Sequence, residues 1–183
     1  MEYELANIRQ FAIQKGYEWV KSIQALYENN SRKLTFGEKE KLKNWFSGET
    51  LDDANIATIT YIEDPPFLEE LKKILPISFN YRDTAGATFG NLVLIAGSHI
   101  MPGHRKWLSV LFHELVHVVQ SSQLGVQKWV EVYVDGVIAN NFTYNEDIPL
   151  ERIAYNLQGR FDAYPERYFP VEDEVKTFLE QFI

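Results

Sequence analysis

From residue 3 to residue 28 the apolar positions Leu5, Ile8, Ala12, Trp19, Ile23 and Leu26 recur near helical spacing, with Gly16 as the weak point of the run. Thr35-Phe36-Gly37-Glu38 has the form of a capping box and predicts a second helix ending near Gly48. The run from Ile56 to Ile62 alternates and is β-branched, which predicts a strand. Pro65 and Pro66 stop it, and a short helix is expected from Phe67 to Leu75, closed by Pro76. Ala87 to Ala96 is the strongest strand pattern in the chain. After the breakers Gly97, Pro102 and Gly103, the apolar stretch Leu108 to Val119 reads as a buried helix that ends near Gly125. A helix is expected from Lys128 to Asn140. Another has Asp147 as N-cap and Pro149 in its first turn, and runs to about Gly159. Val171 to Ile183 reads as a final amphipathic helix. Helices with a few interspersed strands make the class α+β.

The buried helix carries His113-Glu114-Leu115-Val116-His117, an H-E-x-x-H sequence. Histidines at i and i+4 stand one above the other on one helical face, where two neutral imidazoles can grip one zinc ion. The Glu between them stands where a base for an activated water belongs. Two core histidines bonded to nearby carbonyls are the bland alternative. That alternative requires three costly polar burials on one apolar helix with no shared purpose.

Composition narrows the partners of such a site. The chain has 183 residues, 45% of them hydrophobic and 14% aromatic, which is ample for one packed domain. Residues 1–50 are expected as a helical N-terminal extension and 51–183 as the domain proper, together one compact unit. With no cysteine, thiolate sites and disulfides are excluded, leaving His and carboxylate ligands. The net charge of −8 and the lack of a basic stripe argue against nucleic acid or an anionic membrane as partner. No run approaches the length of a membrane span, and Met1-Glu2-Tyr3-Glu4 lacks a signal-peptide profile. A cytoplasmic location is therefore expected, with export by a dedicated system left open.

A catalytic zinc wants three protein ligands and an open position. No His follows His117, so the third ligand is sought among Glu131, Asp135, Glu146, Asp147, Glu151 and Asp162. Glu151 is favoured because it lies in the first turns of its own helix, four residues before Tyr155. Glu131, in the apolar run Trp129-Val130-Glu131-Val132-Tyr133, is the alternative.

Three blocks in order resemble a known family. Thr88-Phe89-Gly90-Asn91, then His113-Glu114-Leu115-Val116-His117-Val118-Val119-Gln120, then Pro149-Leu150-Glu151-Arg152-Ile153-Ala154-Tyr155 resemble the small bacterial domains known as DUF4157. Those domains are found with extracellular contractile injection systems and in stand-alone proteins. The likeness spans about residues 50 to 160. It implies a gluzincin arrangement: a zincin-like fold with a small antiparallel or mixed sheet packed on the active-site helix, helical parts at both ends, and zinc held by His113, His117 and Glu151. Several gluzincins place an acid four positions after the ligand Glu. This chain has Tyr155 there, and Ile153 replaces the family's second Glu in that block, so the orientation of the ligand histidines is left without an explanation.

The activity so implied is zinc-dependent hydrolysis of a peptide or protein substrate, with Glu114 as general base. The strand Ala87 to Ala96 is the expected edge for an extended substrate. Tyr155, His104 and His99 are weaker candidates for assisting an oxyanion. Two other readings stand beside this one. One is a zincin-fold assembly module without turnover, although a scaffold has no need of Glu114. The other is a latent protease or toxin whose helical N-terminal part forms a lid. Trp107, Phe112, Trp129, Tyr133 and Phe142 read as core, Gly86 and Gly90 do not make a phosphate loop, and Asn141-Phe142-Thr143 carries no weight as a glycosylation signal without a secretion signal.

Overall fold

In chain order the elements are α1 (Glu2–Tyr27), β1 (Arg32–Lys33), α2 (Phe36–Leu42), α3 (Gly48–Asp53), β2 (Asn55–Ile59), α4 (Leu68–Lys72), β3 (Gly86–Phe89), β4 (Leu92–Ala96), α5 (Arg105–Leu124), α6 (Val126–Ala139), α7 (Pro149–Ala163) and α8 (Val171–Leu179). The computed structural model describes residues 2–77, 79–97, 102 and 104–183. The class is mixed α+β. Four strands form one sheet in the order β1-β2-β4-β3, with β2 and β4 parallel and the outer pairs antiparallel.

The helix α5 is apolar all round because it is wrapped on every side. The sheet strands β3 and β4, and the helices α6, α7 and α8, all lie against it. Leu111, Phe112, Leu115 and Val116 are completely buried. Phe112 stacks on Phe161 of α7 at 4.4 Å and meets Phe46 edge-on at 4.9 Å. Those contacts set the roll of α5, so the next residue, His113, and the one a turn later, His117, both face α7. The first 50 residues share this core: Leu34, Leu42, Trp45 and Phe46 belong to the same apolar cluster as α5. The helix α1 runs unbroken through Gly16, where it approaches Val130 of α6. No helix among the described residues is long and apolar enough to cross a membrane.

Several expectations are corrected. Ala87 to Ala96 is not one strand but a hairpin, β3 and β4, folded at Gly90-Asn91 with Phe89 opposite Leu92. Gly90 takes φ +69°, the left-handed value that a two-residue hairpin needs at its first position and that glycine adopts without strain. Of the two hairpin strands, only β3 lies at an edge of the sheet. The capping box is present as read, with Thr35 and Glu38 bonding reciprocally, but α2 ends at Leu42. Gly48 opens α3 instead of closing α2, because Ser47 caps the Thr50 amide. The strand over 56–62 pairs only as far as Ile59, and the 67–75 helix is regular only over Leu68–Lys72. Ile148, not Asp147, precedes α7, with Pro149 at its start. The helix passes Gly159 to Ala163, where burial of Phe161 and the Arg160–Glu174 pair outweigh a glycine cost of about 1 kcal/mol. The C-terminal helix is α8 to Leu179, finished by a 3-10 turn over Glu180–Phe182.

Candidate metal centre

His113 and His117 on α5 meet Glu151 from the first turn of α7. The two Nε2 atoms are 3.1 Å apart, and the Glu151 carboxylate lies 3.2 Å from that of His113 and 3.4 Å from that of His117. All three side chains are buried, with Glu151 only 1% exposed. The ligand atoms of the trio fall within 4.8 Å of one another. Donors about 2.0–2.2 Å from a tetrahedral zinc stand roughly 3.3–3.6 Å apart, so the donor set fits that ion after moving apart by a few tenths of an ångström. The other acids are elsewhere. Glu131 and Asp135 are bonded to Arg9, Asp162 accepts from Ser109 Oγ, and Glu146 and Asp147 are exposed.

The chain supplies the orientation that the missing acid left unexplained, using two glutamines. Gln158 Oε1 lies 3.0 Å from His113 Nδ1, and its amide nitrogen donates to the hydroxyl and the carbonyl of Ser109. Gln120 Oε1 lies 2.8 Å from His117 Nδ1, and its nitrogen donates to the Leu150 carbonyl. Each amide is therefore turned with its oxygen toward imidazole, which puts a proton on both Nδ1 atoms and aims both Nε2 atoms at the shared point. Gln120 and Gln158 were overlooked as functional residues. Their signal was spacing: three residues beyond His117 and seven beyond Glu151 return to the same helical faces.

Tyr144 was also missed. Its hydroxyl donates a short hydrogen bond to Glu151 Oε1, and Tyr133 OH lies 3.1 Å away from it. Burial pushes the Tyr144 phenol well above its ordinary range, so it stays a donor. The turn that delivers it is strained: Asn141 and Phe142 adopt φ 51° and 60°, left-handed values that a bulky residue such as Phe142 rarely takes. Tyr144 stands only seven residues before Glu151, but the irregular turn between them follows no helical or strand period that the sequence displays.

Glu114 belongs to the site but not to the trio. Its Oε2 accepts from Thr88 Oγ1 of β3 at 2.8 Å, and the same hydroxyl also contacts the Glu114 carbonyl at 3.0 Å. Oε1 carries no hydrogen bond among the described residues. It lies against the backbone of Gly86, where a Cβ would come within 2.6 Å of it. Burial pushes the Glu114 carboxyl up, partly offset by the two histidines and Thr88. The weaker candidates fare differently. Tyr155 is half-exposed, with its ring 4.5 Å from that of His113. His104 caps the start of α5, nine residues and about 13 Å along the helix from His113. His99 lies outside the described residues.

Without metal, a proton on His117 sits against the Glu151 carboxylate. Burial alone would lower His117, but the Glu151 carboxylate raises it to about 9. Burial likewise pushes Glu151 up, and the His117 charge with hydrogen bonds from both histidines holds it down at about 2. The raised His117 contributes stability below its ordinary value near 6.5 that is lost as pH climbs through 9. The depressed Glu151 contributes stability above about 4.5 that is lost as pH falls toward 2. Chelator-treated protein is therefore expected to melt at a lower temperature at pH 9.5 than at pH 6. A melting temperature unchanged between those two pH values would show that the trio holds no such proton.

Compared with protein-family models, curated proteins and solved structures, the chain matches none.

Proposed function

We propose that the chain is a zinc-dependent peptidase of gluzincin type with a zincin-like arrangement of hairpin and active-site helix. One observation carries the reading: three ligand atoms converge from His113, His117 and Glu151, while the adjacent carboxylate, Glu114, is tied to Thr88 and stays out of the cluster. A metal scaffold needs the first three groups but not the fourth.

Zinc, when bound, supplies Lewis acidity toward a water and a carbonyl. The chain's own groups do the rest. Glu114 accepts the proton of the attacking water on its free Oε1 and returns it to the leaving amine. Thr88 holds Oε2 so that Oε1 keeps one direction. Burial, which pushes the Glu114 carboxyl up, strengthens it as a proton acceptor. Tyr144, Gln120 and Gln158 keep the ligand groups aimed. The edge strand β3 carries both Thr88 and Gly86, and is the surface along which an extended chain would lie.

The test is hydrolysis of an unfolded protein substrate by zinc-loaded chain. Cleavage should stop on chelation and return with added zinc at about one ion per chain, followed by new N-termini in the products. Cleavage indifferent to the chelator would remove the reading. A narrower prediction concerns Gly86. Gly86→Val forces the Glu114 side chain aside, so activity should fall by about tenfold or more while zinc content stays at wild-type level. Unchanged turnover in that variant would mean that the Glu114 position does not matter.

A further inference from the structure

Beside the trio lies a partly open cavity of about 190 Å³, bounded by α1, residues 65–77, β3 and α6. Glu114, His117 and Glu151 form one part of its wall. The rest is mostly hydrocarbon and aromatic, and includes Trp19, Leu71, Phe79, Val134, Ile138 and Phe142. Protein interiors are close-packed, and voids larger than a water molecule are few. A dry apolar cavity of roughly 150 Å³ accommodates benzene, so this one suits a single aromatic or branched aliphatic side chain. Away from the end that Glu114, His117 and Glu151 line, a charged group placed there would lose its water with little on the walls to replace it.

The wall is held in place. Arg9 of α1 bonds Asp135 at 2.5 Å and Glu131 at 2.8 Å on α6, and Gln24 donates to the Phe89 carbonyl of β3 at 3.0 Å. Trp19 packs edge-on against Phe89 at 4.8 Å and Tyr81 at 5.0 Å. The helix α1 is thus fastened at two places along its length, as a wall is and a loose lid is not.

We propose that this cavity is the specificity pocket of the site and takes one large apolar side chain, aromatic or branched aliphatic, of a peptide bound with its scissile bond at Glu114 and the His113–His117–Glu151 trio. The inference rests on the peptidase reading for the identity of the ligand. It also assigns substrate choice to α1 and residues 65–77, which lie outside the sequence blocks that suggested the chemistry.

The test uses full-length, zinc-loaded Glu114→Gln protein, which should bind without cutting. Acetylated pentapeptides Ala-Ala-X-Ala-Ala are titrated with X as Phe, Leu, Asp or Lys, read by the fluorescence of Trp19 and Trp129, both of which line the cavity. Phe and Leu should bind about tenfold or more tighter than Asp and Lys, the factor expected for burying one such side chain. Equal affinities across the four would overturn the proposal. A second measurement avoids peptides: toluene should raise the melting temperature of the wild type and leave that of the cavity-filling variants Val134→Phe and Ala12→Leu unchanged. No shift in the wild type, or the same shift in a folded filled variant, counts against the pocket. The two readings can fail separately. Apolar preference in binding with no cleavage by wild type removes the peptidase and keeps the pocket, whereas cleavage beside any residue with no binding preference does the reverse.

Discussion

His117→Ala protein purified without added metal and then offered zinc should retain essentially none after desalting, whereas the wild type retains about one ion per chain. The two remaining donors, His113 and Glu151, fall below the three protein ligands that a catalytic zinc takes. The loss extends to the metal-free fold. Glu151 is 1% exposed and would keep its charge with only His113 and Tyr144 beside it. Stranding one partner of a buried ion pair costs about 3–5 kcal/mol, and that loss should show near pH 5 to 6, where the pair is intact. Glu151→Ala should lose zinc equally. Glu131→Ala should not, since Glu131 is engaged with Arg9. Elemental analysis decides between these, and full zinc stoichiometry in His117→Ala would expel that residue from the ligand set.

Glu114→Gln separates metal binding from chemistry. The amide matches the carboxylate in shape and can still accept from Thr88, but it cannot take a proton from water. Zinc content should be unchanged and hydrolysis reduced by about 10²- to 10⁴-fold, the range general bases supply. Because burial already pushes the Glu114 carboxyl up, replacing it with a neutral amide should not lower the melting temperature. An inactive variant with normal zinc and normal stability would assign the loss to the proton transfer itself. Full activity would instead leave Glu114 as a buried bystander and favour an assembly module built on the same ligand set.

The local parts of this site were legible in the chain because helices carry a local code. A 3.6-residue repeat places His113 and His117 on one face whatever surrounds them, and the Thr35–Glu38 capping box closes within four residues. The hairpin was open to the same kind of reading and was missed: Gly90-Asn91 between two apolar runs is a two-residue turn signal, overridden by the continuity of the hydrophobic stretch. Gly48 misled in the opposite direction, since glycine marks helix ends generally while Ser47 beside it is the stronger start signal.

The sequence by itself determined a buried helix with two histidines on one face, a glutamate beside them and an α+β frame, all of which follow from spacing and side-chain chemistry within a few turns of chain. Only the tertiary structure decided the contacts that cross it. It brought Glu151 onto the histidines, set Gln158 and Gln120 behind them in place of acids, and swung Tyr144 onto the carboxylate through a strained turn. It also laid α1 against α6 and β3 to bound an apolar cavity at the edge of the site. Those partners are separated by 38 residues for His113 and Glu151 and by 126 for Arg9 and Asp135. Periodicity specifies which face of an element is buried, but the roll and approach of two distant elements are set by packing, here by Phe112 against Phe161.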